Sequence, residues 1–96
     1  MLSKEQKNII LETLKPFNPS YIGLFGSFAR NEETETSDID ILYEMQKKYS
    51  LFDLMDLKET LKNKLHREVD LVSREYLNKR LRHHVEKDLI VLLDGE

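Results

Sequence analysis

The spacing of apolar and polar positions changes period several times along this chain, and each change predicts an element. Ile9, Ile10, Thr13, Leu14 and Phe17 recur at helical spacing, and Ser3 with Gln6 has the form of a capping box. A first helix is therefore expected over about residues 3 to 15, broken by Pro16 and Pro19. "YIGLF" (21–25) is short, aromatic and β-branched between turn residues, which predicts a strand. "SFAR" (27–30) predicts one helical turn and "NEETETS" (31–37) a loop. In "DIDILYE" (38–44) the alternation is strict: Ile39, Ile41 and Tyr43 share one face, and Asp38, Asp40, Leu42 and Glu44 share the other. Ser50 then opens a helix whose stripe of Leu51, Leu54, Leu57, Leu61 and Leu65 is suited to lie on a sheet. "REVDLVS" (67–73) alternates again as a third strand, and a basic helix is expected from Arg74 to about Lys87. "LIVLL" (89–93) fits either a last strand or a buried helical turn, and periodicity does not choose between them.

Composition narrows the class. Ninety-six residues suit one domain, expected to span 1–96, and 40% hydrophobic with 34% charged residues fits a soluble globular chain. No apolar run is long enough to span a bilayer, and the amino terminus reads as an amphipathic helix with no leader pattern. The absence of cysteine removes disulfide and thiolate chemistry and makes the cytoplasm the expected location. A net charge of -3 exerts no overall pull on nucleic acid, so direct nucleic-acid binding is not expected.

The charges inside the most strand-like run point to chemistry. Carboxylates at i and i+2 of a strand project the same way with Cα atoms roughly 6–7 Å apart. At an effective dielectric of about 20, two such charges repel by roughly 2–3 kcal/mol. A divalent cation is the natural counter-charge for Asp38 and Asp40, and Mg²⁺ favours carboxylate oxygens completed by water and phosphate. Asp70 can join them if the third strand lies beside the second. Taken alone, the D-x-D pair fits a solvated sheet face or a strand entrance better than a metal site.

Upstream, Gly26 ends the first strand where the chain must turn, and its missing side chain lets backbone N–H groups approach an anion. Ser27 would follow with a hydroxyl and a helix N-terminus aimed at phosphate oxygens, and Arg30 lies one turn on, although by itself Gly-Ser fits an ordinary turn with a helix cap better. The polar stretch between Ser27 and Asp38 is long enough to return the chain to its starting point. The first two strands should then be antiparallel, with the glycine–serine turn and the carboxylates at the same end.

"GSFAR…SDIDILYE" with the later "VDLV" resembles the MNT-type minimal nucleotidyltransferases of the DNA polymerase β-like superfamily, whose motif reads G-S-x-A-R-G, a spacer, then S-D-x-D-hydrophobic. The resemblance covers essentially the whole chain. It implies an α+β fold, a small mixed, largely antiparallel sheet flanked by helices in the order α-β-α-β-α-β-α with a possible last strand. It further implies ATP as substrate and two Mg²⁺ ions, with Gly26, Ser27 and Arg30 on the nucleotide and Asp38, Asp40 and Asp70 as the catalytic, metal-holding carboxylates. One position departs: Asn31 stands where the family usually has glycine. Asparagine tolerates a positive φ best after glycine, so the turn survives the exchange.

The function so implied is Mg²⁺-dependent transfer of AMP to a hydroxyl of a partner protein, a HEPN-type toxin, with this chain as antitoxin in a hetero-complex or oligomer. The alternative is a nucleotide-binding antitoxin that neutralises its partner by contact alone. Three mutually repelling carboxylates favour the enzyme. Transfer to a small molecule has less support, because no second domain is present to shape an acceptor pocket. His83 and His84 are adjacent on a helix and cannot share a metal; with Lys79, Arg80 and Arg82 they read as a solvated basic face or a docking surface.

Overall fold

In the computed structural model, which describes residues 2–95, the first helix starts at the capping box read from the sequence. Ser3 Oγ accepts the Gln6 N–H at 3.0 Å, and Gln6 Oε1 accepts the Ser3 N–H at 2.8 Å. This helix, α1 (Lys4–Leu14), tightens into a 3₁₀ turn, Lys15–Phe17, and Asn18 in the left-handed region (φ 49°) sends the chain into β1 (Pro19–Phe25). There follow β2 (Ile39–Met45), α2 (Leu51–Leu65), β3 (Val69–Ser73), α3 (Lys79–Lys87) and β4 (Ile90–Asp94). A second reciprocal cap opens α2: Ser50 Oγ accepts the Asp53 N–H, and Asp53 Oδ2 accepts the Ser50 N–H.

The sheet order is β3-β2-β1-β4. β1 is antiparallel to both β2 and β4, whereas β3 runs parallel to β2, with α2 as the crossover that a parallel pair requires. The fold is therefore the expected mixed, largely antiparallel sheet flanked by helices, and "LIVLL" resolves as an edge strand.

One sheet face carries the main core. Ile22, Leu24, Ile39, Ile41 and Tyr43 pack there beneath Ile10 and Leu14 of α1 and Leu61 and Leu65 of α2. Each such side chain removed from water contributes roughly 1.5–3 kcal/mol. The opposite face is covered by a smaller cluster in which Val85 of α3 lies on Tyr21 and Leu42. That cover explains why a leucine alternates with acidic residues along β2.

Three features differ from the sequence-based expectation. "SFAR" closes as a turn and does not become a regular helix. The Arg30 N–H reaches Gly26 O at 3.1 Å and the Glu32 N–H reaches Ser27 O at 2.9 Å, but Asn31 at φ 58° stops propagation. The basic helix begins at Lys79, not Arg74. Residue 74 is held to the sheet: its N–H donates to Tyr43 O at 2.9 Å, and its guanidinium lies 4.2 Å from the Tyr21 ring centroid and 3.7 Å from Glu44. Asn78 then caps α3 through the Arg80 N–H. Finally, Leu51 is 70% exposed and outside the leucine stripe of α2. At 100° per residue it falls roughly 75° from the centre of the arc shared by Leu54, Leu57, Leu61 and Leu65.

Candidate active site

Strand pairing brings the sequence candidates together. The antiparallel register sets Phe25, the last residue of β1, opposite Asp40, and the parallel register sets Asp40 opposite Asp70. The turn beginning at Gly26 therefore lies at the acidic end of β2. Asp38 immediately precedes β2, and the N–H of Ile39 beside it donates to Glu68 O at 3.0 Å, which ties this end of β2 to the chain entering β3.

Gly26 has φ 75°, and the space where a Cβ would stand is filled by the Asp40 carboxylate; a Cβ built there would collide with Oδ2. From the sequence, the missing side chain is expected to admit a phosphate. In the fold it also makes room for the central acid. Three backbone donors, the N–H groups of Ser27, Phe28 and Ala29, and the Ser27 hydroxyl have no hydrogen-bond acceptor among the described residues. Such a group of unsatisfied donors at a sharp turn is suited to an anion.

Asp40 is half-buried, whereas Asp38 and Asp70 are exposed. Burial, then the negative charges of Asp70 and Asp38, push the Asp40 carboxyl up to about 6, with Arg30 pulling the other way. Negative charge crowded to this degree favours a cation. Among the described residues no three Asp, Glu, His or Cys side chains close into a group that could hold an ion by themselves. Adjacent carboxylates on two strands fit Mg²⁺ nonetheless, because that ion takes one or two carboxylates and completes its shell with water and phosphate oxygens.

Arg30 is exposed and engaged with Glu32 at 3.1 Å and Asp88 at 3.5 Å, so it fastens the turn to the end of α3. His83 and His84 sit edge to face with ring centroids 6.1 Å apart on the exposed side of α3. A cavity of about 410 Å³ adjoins Asp38, its wall including Ser37, Lys62, His66, Arg67 and Glu68. Sequence reasoning did not single out Arg67. Its signal was a basic residue at the head of an alternating acidic strand.

The polymerase beta nucleotidyltransferase model matches residues 7–96. The chain belongs to the polymerase beta nucleotidyltransferase family. Within this nucleotidyltransferase family it is similar to MJ0126 of Methanocaldococcus jannaschii, a candidate protein adenylyltransferase, at 39% identity over 92% of this chain and 95% of the relative. It is also similar to the protein adenylyltransferase MntA of Thermococcus cleftensis, at 34% identity over 94% of this chain and 96% of the relative. A crystal structure of a toxin–antitoxin with AMP-PNP superimposes with a TM-score of 0.81 at 26% identity, covering 92% of this chain and 73% of that one. The resemblance drawn from "GSFAR…SDIDILYE" thus holds at the level of family and fold. Among the described residues no helix is long and apolar enough to cross a membrane.

Proposed function

We propose that this nucleotidyltransferase, acting as one domain over residues 1–96, transfers AMP from ATP to a hydroxyl of a partner protein in the cytoplasm and thereby serves as antitoxin to a HEPN-type toxin. The observation that carries the reading is the register Asp40 opposite Asp70, beside a glycine–serine turn with free donors. The adenylyltransferase names of its relatives and the toxin–antitoxin neighbour with AMP-PNP support it.

In this reading Ser27 and the amides of the turn grip the triphosphate and keep hold of the departing pyrophosphate. Asp38 and Asp40 would hold one Mg²⁺ and, together with Asp70, a second, and Asp70 would also help the acceptor hydroxyl lose its proton. Bound there, two such ions would stabilise the attacking and leaving oxygens of an in-line displacement. Arg30 would have to leave Glu32 or Asp88 to reach a phosphate.

Among the described residues the helices and strands build the sheet and its cover, and none of them is free to serve as a lid over the carboxylates. An acceptor must be held about 3–3.5 Å from the phosphorus for efficient attack, so the partner supplies that surface. Two places suit its docking: the basic side of α3 from Lys79 to His84, and the exposed Leu51, Phe52 and Met55 on α2. Incubation with labelled ATP, Mg²⁺ and the cognate toxin should add one or more AMP units to the toxin by intact-protein mass spectrometry. Asp40→Asn and Asp70→Asn should each remove that gain. Stoichiometric binding and neutralisation with no mass change would favour the contact-only antitoxin, and rapid transfer to small hydroxyl compounds without partner would overturn the need for one.

A further inference from the structure

We infer that Arg67 is a positioning residue that holds the segment carrying Asp38 in register with β3 and with the glycine–serine turn. Its role toward Asp38 rests on the metal-holding assignment proposed above. Nη1 of its guanidinium donates to two backbone carbonyls, Thr34 O at 2.8 Å and Ser37 O at 3.0 Å. Its guanidinium carbon lies over the Phe28 ring, 4.8 Å from the centroid. Phe28 is itself buried in the main core. Arg67 belongs to the stretch that leads into β3 and Asp70, Thr34 and Ser37 to the stretch that leads into Asp38, and Phe28 to the turn that begins at Gly26 and Ser27. One side chain therefore fastens together the three segments that bear the candidate site.

The segment from Glu32 to Asp38 has no helix or strand of its own. It folds on itself through a turn in which the Ser37 N–H donates to Thr34 O at 3.2 Å and the Thr34 N–H donates to Ser37 Oγ at 2.8 Å. Arg67 grips both ends of that turn. Those bonds are local, whereas Arg67 ties both ends of the turn, and with them the approach to Asp38, to the chain entering β3. Both protons of Nη1 are committed to carbonyls and the guanidinium carbon lies over a ring, which leaves Nη1 no proton for a phosphate. The planar fork matters here: an ammonium cannot stack on the ring and bond two carbonyls in the same arrangement.

The test compares the parent with Arg67→Met and Arg67→Lys. In metal-free, nucleotide-free protein, amide hydrogen exchange over residues 34–38 should quicken about tenfold or more in both variants, while amides of α1 and β1 keep their protection. In the transfer assay, the Mg²⁺ concentration for half-maximal rate should rise about tenfold in both, with kcat at saturating Mg²⁺ within about threefold of the parent. Unchanged exchange at 34–38 in either variant would overturn the positioning role. A lysine variant indistinguishable from the parent would make Arg67 a simple positive charge. Faster exchange with an unchanged Mg²⁺ requirement would break the link to Asp38. If the parent transfers no AMP to any partner, the proposed function fails and the exchange comparison still decides whether Arg67 orders the segment.

Discussion

The Asp40 carboxylate occupies the place where a side chain on Gly26 would begin. Residue 26 thus serves the site twice, once by adopting φ 75° at the end of β1 and once by leaving that space open. Gly26→Ala should cost about 1–2 kcal/mol for the left-handed backbone, and further displacement of Asp40 should abolish most AMP transfer. Chemical denaturation and the transfer assay, run side by side, should show activity falling far more than stability does. Full activity in the alanine variant would mean that Asp40 does not need its present position.

The same acid should work against the fold when no metal is present. An acid whose folded value is raised from 3.8 to about 6 contributes stability that is fully present below 3.8 and is lost as pH rises through 6. In metal-free buffer at neutral pH, Asp40→Asn should therefore be more stable than the parent by about 1–2 kcal/mol, a figure discounted because the carboxylate is half exposed to solvent. Thermal melts across pH should show the two proteins converging near pH 4. A variant that melts below the parent at neutral pH would contradict the repulsion described here.

Asn31 closes the turn at φ 58°. Asn31→Gly should be tolerated in both stability and ATP binding. Asn31→Val places a β-branched side chain in the left-handed region and should cost about 1–3 kcal/mol and loosen the nucleotide. Nucleotide titration of the valine variant with parent-like affinity would rule out the turn as the phosphate grip.

His66 ends α2 in the left-handed region, at φ 58°, with its N–H on Lys62 O. Glycine is the residue that this helix end usually takes. His66→Gly should raise stability by up to about 1 kcal/mol in urea unfolding, since relief of backbone strain outweighs the added freedom of the unfolded chain. A loss of stability would show that the imidazole makes a contact worth more than that strain.

Local patterns were enough to read most of this molecule. The Ser3–Gln6 cap and the alternation of Ile39, Ile41 and Tyr43 depend on residues within a few positions of one another, and period or side-chain chemistry specifies them directly, whereas the positive φ at Asn31 is expected from the glycine that the resembling family has there. The candidate acids were legible for the same reason, because carboxylates at i and i+2 on an apolar strand conflict with burial unless something answers their charge. What only the tertiary structure decided is relational. Whether Asp70 faces Asp40 depends on the register of two strands joined by a helix, and whether "LIVLL" is a strand depends on the free edge of β1. Arg74 reads as helical by composition yet is held by Tyr43 and Tyr21 from other strands. Arg67 meets its carbonyls across 30 and 33 residues of chain. Such contacts leave no periodic trace in the sequence, because their energy comes from partners that only folding brings within reach.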